Sequence, residues 1–453
     1  MNRRAQLATV GPDERMLQVR LAKPGACGSV AHLAVIAPSQ DGSPPAEVLR
    51  LTTAPHVLRL PAFQFFVASR FLSSTAFQGA SVAVGWLVYD ITRNPFDLGL
   101  IGLFQFLPML VLTLLAGHIA DQFDRRRIAL VCQVVEAAVM GFMAIGIWQG
   151  WLPLWGIFAA IAVLGGAQAF ERPAMAALLP AIVPQAQLQS AVATSTSIMQ
   201  SAMIVGPAMG GLLYGLGGVV PFATSAIFFL LASIGVTLIN HPMKVLVRTP
   251  VTWESVFAGV AFIKNRKVML GSISLDLFAV LLGGATAMLP VYARDILEAG
   301  PWALGLLRTS PAIGAVVMAL YLARFPLQHS VGKTMLIAVA VFGAATIVFA
   351  FSTNIALSIA MLVILGASDT ISVVIRSSLV QLLTPDEMRG RVNAVNSLFI
   401  GASNQLGEFR AGVFAGFMGP VAAVAVGGVG TLAVVLLWSR LFPELRKVQT
   451  LSG

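Results

Sequence analysis

The sequence predicts an all-α, polytopic membrane protein: about twelve transmembrane helices forming two pseudo-symmetric six-helix bundles. Three observations predict it. Hydrophobic residues make up 57% of the 453 and charged residues 11%, about half the charge of a soluble domain. The apolar residues gather in runs of about 20, the length that crosses a hydrocarbon core as a helix. A short pattern also recurs in the two halves: Arg172 followed by Leu178-Leu179 reappears as Arg376 followed by Leu382-Leu383 at the same spacing. Continuous stretches such as Met109 to Leu115 do not alternate, which excludes a closed barrel.

The expected spans lie near 61–88, 98–120, 127–148, 153–171, 188–215 and 219–240, then 268–292, 301–323, 333–351, 354–376, 392–416 and 419–441. This divides the chain into a leader (1–56), an N-terminal bundle (57–240), a connecting loop (241–267), a C-terminal bundle (268–441) and a tail (442–453). Lys and Arg concentrate in the loops on one side, among them Arg125, Arg126, Arg127, Arg172, Lys264, Arg266, Lys267, Arg376 and Arg389. Short loops on the other side hold Arg93 and Arg294. The richer side is expected to be cytoplasmic and to carry both termini, in a plasma membrane of the bacterial inner type. The same scattering of charge in short clusters explains the formal net charge of +10 without nucleic acid. Residues 1–56, rich in Pro, Gly, Ser and Arg, show no sustained period and are expected to be a disordered cytoplasmic leader. Cys27 and Cys132 are too few and too differently placed for a disulfide framework.

Between spans 2 and 3 lies Gly117-His-Ile-Ala-Asp121-Gln-Phe-Asp124-Arg125-Arg126-Arg127. Gly117 and Asp121 share a helix face, and an acid at a helix end followed by three arginines can form a charge lock between sliding helices. In span 5, Gly206-Pro207-Ala-Met-Gly210-Gly211 combines a helix-bending proline with small residues that admit a close neighbour.

The first segment resembles the loop signature of the major facilitator superfamily, G-x-x-x-D-x-x-G-R-R/K, with Asp124 where the family has a loop glycine. The second resembles the span-5 motif of its exchange-type exporters. Gln78 to Thr92, Gly401 to Phe409, Gly427 to Thr431 and Arg440 to Leu445 resemble the enterobactin-exporter-like, or transmembrane secretion effector, branch. The resemblance spans roughly 57–448. It implies two six-helix bundles and transport driven by an ion gradient; the branch is broad, so a siderophore substrate is not implied.

Ionisable residues within spans are costly and usually face a cavity or a partner. Glu136, Asp276, Asp369, Glu408, Arg70 and Arg308 qualify by position, and Asn404 lies one turn before Glu408. One of Glu136, Asp369 and Glu408 is expected to exchange protons, and Arg308 could instead hold an anionic group. An interhelical ion pair would account equally well for any one of them. Gln78, Gln105 and Gln200 are further candidates for a cavity wall. Gly332-Lys333-Thr334 lacks the earlier glycine of a phosphate loop, since Leu327 stands there. No metal, cofactor or nucleophile–base constellation is present in the sequence, so an enzyme is not expected. The expected function is export of a small amphipathic molecule in exchange for protons, by a monomer in the lipid bilayer. The alternatives are a proton-coupled uptake symporter and a transport-inactive receptor or subunit.

Overall fold

The computed structural model describes residues 18–21, 33–36, 57–239, 253–327 and 329–450; the side chains at 18–21, 33–36, 113–118, 120–122, 253–256 and 386 lie outside the described set. Residues 1–56 and 57–453 form separate units. In the first, β1 (Gln18–Leu21) and β2 (Leu33–Ile36) pair antiparallel, Gln18 opposite Ile36 and Leu21 opposite Leu33. The rest of the leader lies outside the described residues.

The second unit is helical. The N-terminal half comprises α1 (Pro61–Thr92), α2 (Pro95–Gln122), α3 (Arg125–Trp148), α4 (Leu154–Ile182), α5 (Leu188–Leu216) and α6 (Val220–Thr237). An amphipathic helix, α7 (Trp253–Lys264), occupies the connecting segment that the sequence suggested would be a loop. The C-terminal half comprises α8 (Lys267–Gly283), a short α9 (Leu289–Val291) that runs into a π-helical turn (Tyr292–Ile296), then α10 (Pro301–Arg324), α11 (Val331–Ala350), α12 (Ile355–Leu383), α13 (Asp386–Met418) and α14 (Pro420–Leu441). The tail adds α15 (Pro443–Lys447), whose Glu444 meets Lys267 at 3.1 Å. Consecutive long helices reverse direction, so Val57 and Lys447 lie on one face, here the terminal face; the opposite one is the far face.

Among the described residues, ten helices are both long and apolar enough to span a bilayer. The two expected spans that fall short are α5 and α13. Both are long, at 29 and 33 residues, but their polar residues lower the average. Each packs against the other half of the protein, α5 on α10 and α13 on α2, and each contributes to a cavity wall, α5 through Met199 and Met203 and α13 through Asn404, Gln405 and Glu408, so part of its surface never meets lipid.

Two loop assignments are corrected. Arg172 and Arg376, expected at the cytoplasmic ends of spans, lie inside α4 and α12. The hydropathy pattern stops at each arginine, yet the helix continues because each charge finds a polar setting inside the protein. Pro173 and Pro180 sit within α4 rather than in a loop; neighbouring helices in a membrane bundle tolerate such breaks in the backbone ladder.

Glycine contacts set how closely the halves approach. Gly211 of α5 lies against Gly305 of α10, where an added Cβ would stand 2.8 Å from the Gly305 Cα. Gly412 of α13 lies against Gly99 of α2, where it would stand 2.4 Å away. These two seams are the counterparts expected of a duplicated six-helix unit. Both lie toward the far face.

Candidate functional site

Three helix faces build a polar layer inside the N-terminal half. Gln133 and Glu136 stand one turn apart on α3, and Gln168, Glu171 and Arg172 share a face of α4, as i, i+3 and i+4 positions do. Ser69 and Ser73 supply the α1 face. The Glu171 carboxylate accepts from the Ser73 hydroxyl at 2.7 Å, from Gln133 Nε2 at 2.8 Å and, on its other oxygen, from Gln168 Nε2 at 2.8 Å. The same Gln168 nitrogen donates to Glu136 Oε1 at 2.6 Å. Glu136 is fully buried, and its Oε2 has no hydrogen-bond partner. Arg172 Nε donates to Gln168 Oε1 at 3.0 Å. One amide thus joins two carboxyl groups and a guanidinium.

Glu171, Gln168 and Arg172 also face a cavity of about 360 Å³, together with Arg70, Phe77 and three methionines, Met175, Met199 and Met203. It lies in the terminal-face half of the N-terminal bundle. Phe77, Gln78, Gln168 and Arg172 are shared with a second space of about 210 Å³ between the bundles, near mid-depth. That central space is lined from the other half by Arg308, Asn404, Gln405 and Glu408. Arg308 stands 3.8 Å from Glu408, donates to the Thr286 carbonyl at 3.2 Å and reaches Ser81 of α1 at 3.3 Å. Thr286 Oγ1 donates to Glu408 at 3.3 Å.

The structure therefore gathers Arg70, Arg308, Asn404 and Glu408 around connected cavities, with Glu136 directly behind the wall. Gln78 and Gln105 line the central space; Gln200 lines neither cavity. Asp276 and Asp369 are elsewhere: they face a small gap inside the C-terminal bundle, and Asp276 forms an ion pair with Arg376. Arg410 does not share the Glu408 face; its guanidinium lies over Phe414, 5.1 Å from the ring centre. Gln133, Gln168, Glu171 and Arg172 were missed by sequence reasoning. Their signal was available as paired polar residues at helical spacing within apolar runs, but Arg172 had been read as a loop anchor.

In the span-5 motif, Gly206 and Gly210 face α1, the latter against the Gly79 backbone, while Gly211 faces α10. One helix thus uses two small faces, one within its bundle and one across the seam. In the loop signature, Asp124 caps α3 by accepting from Arg126 N–H at 2.9 Å. An aspartate at this position satisfies one of the otherwise unpaired N–H groups of the first turn of α3. Arg126 reaches the Thr237 carbonyl at the end of α6, 2.8 Å away; Arg125 is buried and Arg127 exposed. The side chains at Gly117 and Asp121 lie outside the described residues.

At the far face, the end of α1 is latched to the π-helical turn of the other half. Arg294 pairs with Asp90, the Tyr89 hydroxyl donates to Asp295, and Arg93 lies 3.5 Å from Asp295. The Arg294 guanidinium also sits 5.5 Å from the Trp86 ring centre. The two basic residues that the sequence placed on this side are the two that build the latch. Exposed ion pairs contribute about 0.2–1 kcal/mol each. Arg294→Gln, which removes one such pair, is accordingly expected to open the far face up to roughly fivefold more often. The measurement is the labelling rate of a cysteine at position 81 by a membrane-impermeant thiol reagent, and the effect should shrink in molar salt.

Two six-helix bundles around a charged, mid-depth cavity define a multi-pass membrane transporter of the two-bundle type. Residues 52–451 match the family model described as transmembrane secretion effector, and the chain belongs to that family of the major facilitator superfamily. It is 25% identical over 411 residues to the enterobactin exporter EntS of Citrobacter koseri, covering 85% of this chain and 93% of that one. It is likewise 25% identical over 412 residues to EntS of Salmonella typhi, covering 85% and 94%. Among solved structures, a bacterial homologue of the iron transporter ferroportin in an inward-facing state has a TM-score of 0.64 at 17% identity, over 86% of this chain and 100% of that one. The nucleoside transporter NupG has a TM-score of 0.63 at 13% identity, over 84% and 99%.

Proposed function

We propose that this transporter is a secondary active exporter that moves a small amphipathic molecule out of the cell in exchange for protons. It works as a monomer in the inner membrane with both termini in the cytoplasm. The observation that carries the reading is the Glu136–Gln168–Glu171 chain, which joins a fully buried carboxyl group to the cavity wall. An isolated carboxylate in a dry interior is costly, so Glu136 Oε2, which meets no donor, is where a proton would sit. Gln168 Nε2 donates to both carboxyl groups and so orients them without relaying a proton itself; transfer to Glu171, on the cavity wall, would pass directly between the carboxyl groups or through water. Glu408, paired with Arg308, and Asp369, inside the other bundle, are the competing positions.

Alternating access supplies the movement. In this conformation the latch and the glycine seams hold the halves together at the far face, and the cavity lined by Arg70 and Arg172 lies toward the terminal face. The excess of basic residues on the terminal face supports a cytoplasmic setting, so loading would occur from the cytoplasm. The exporter relatives and the span-5 segment support the outward direction.

Glu136→Gln and Glu171→Gln are each expected to cut proton-driven substrate accumulation in inverted vesicles by roughly tenfold or more, a smaller effect than the roughly 10²–10⁴-fold that positioned proton-transfer groups contribute in catalysis. Substrate-only exchange without a gradient should survive. If neither change affects gradient-driven transport, the proton assignment fails; accumulation in whole cells driven by an inward gradient would overturn export.

A further inference from the structure

We infer that the cavity of the N-terminal half is built for an organic anion: an oxyanion such as a carboxylate, carried on a flat or flexible apolar body. The inference rests on reading this cavity as the substrate path and adds the chemical class that the path accepts.

The charges on its wall do not balance. Arg70 and Arg172 both face the cavity, and neither belongs to any of the ion pairs found among the described residues. Arg70 Nε is buried without a hydrogen-bond partner. Arg172 uses its Nε on the neutral Gln168 amide. The one carboxylate on the wall, Glu171, is occupied by three neutral donors from Ser73, Gln133 and Gln168 rather than by either guanidinium. Two cations therefore border a space whose nearest acid already has its oxygens satisfied. A guanidinium can meet an oxyanion with two parallel hydrogen bonds, and both arginines border the cavity. A cationic ligand would instead meet two like charges.

The rest of the wall selects the body of the ligand. Each guanidinium lies near an aromatic ring, Arg70 at 6.0 Å from the Phe66 centre and Arg172 at 5.9 Å from the Phe77 centre. Met175, Met199 and Met203 line the cavity with Phe77. Thioethers are polarisable, adapt to irregular shapes and pack well against aromatic edges. A volume of about 360 Å³ is at the small end of ligand pockets and suits a molecule of one or two rings.

The test uses the purified full-length protein and three probes of one shape: 1-naphthoate, neutral 1-naphthamide and cationic 1-naphthylmethylammonium. Binding is read by intrinsic tryptophan fluorescence and by thermal shift. Naphthoate is expected to bind roughly tenfold or more tightly than the other two, the scale of a charge-assisted bidentate contact. Arg70→Gln and Arg172→Gln should each weaken naphthoate roughly tenfold and leave naphthamide unchanged, while Arg324→Gln, on the surface, changes neither. Arg70→Lys, which keeps the charge but loses the planar fork, should fall between parent and Arg70→Gln, and it serves if the glutamine variant does not fold. Absence of naphthoate binding, equal binding of naphthamide or the cation, or full naphthoate affinity in both glutamine variants overturns the inference. A protein that prefers naphthoate in this way yet shows no proton-coupled movement leaves the anion site standing and sinks only the exchange reading.

Discussion

Arg376→Met is expected to destabilise the protein by about 3–5 kcal/mol, the cost of breaking a buried ion pair from one side. Arg376 and Asp276 are 4% and 5% exposed and pair directly between α12 and α8. Asp369, two turns before Arg376 on α12, faces the same small gap as Asp276. Without the guanidinium, two acids would share a dry interior with no cation, a costly arrangement within a bilayer. The double change Asp276→Leu with Arg376→Met is expected to recover much of the loss, because a well-packed apolar pair of similar volume often equals or exceeds a buried ion pair. The measurement is the apparent unfolding temperature of the detergent-solubilised protein. A double variant less stable than Arg376→Met alone would show that the pair contributes more than it costs. A fully stable Arg376→Met would show that the pair does not hold α8 to α12.

Gly412→Val should act on conformation rather than on folding. A Cβ at Gly412 would lie 2.4 Å from the Gly99 Cα and 2.6 Å from the Gly99 N, both backbone atoms that cannot turn aside. The contact joins the two halves, so the clash can be relieved by their parting at the far face, while each bundle keeps its own packing. Overpacking of this kind costs about 1–3 kcal/mol, which shifts a two-state equilibrium roughly 5- to 150-fold. Spin labels at the far-face ends of α1 and α10 should therefore report longer separations, and transport should fall because closure at that face becomes rare. Gly210→Val clashes instead with the Gly79 backbone inside one bundle, and it should lower the unfolding temperature without favouring either face. If the two variants behave alike, the seam has no separate conformational role.

The candidate site was partly legible in the sequence. Glu136, Arg308, Glu408 and Asn404 stood out because an ionisable or amide group inside an apolar run is unusual whatever surrounds it, and three of the four line the central space while Glu136 lies one amide away from the wall. Glu171 and Arg172 were hidden for the opposite reason: they fall where an apolar run ends, and a charge at the end of a run looks like an anchor. Arg376 was misread in the same way. Asp276 and Asp369 were singled out as intramembrane acids, but nothing along the chain distinguishes an acid that faces a cavity from one paired inside a bundle. The reduced apolarity of α5 and α13 is present in the sequence as well, but an average along one helix does not say which neighbour or cavity its polar residues face.

The sequence by itself determined the solvent of this protein, its alternation of long helices, the duplication and the family, because these follow from sums and spacings over adjacent residues. Only the tertiary structure decided which charges meet. Ser73 finds Glu171 across 98 positions and Arg376 finds Asp276 across 100, and the glycine seams join helices from opposite halves. Hydropathy is a local average along one helix, whereas the energy of a buried charge is set by whatever other helices place within a few ångströms of it.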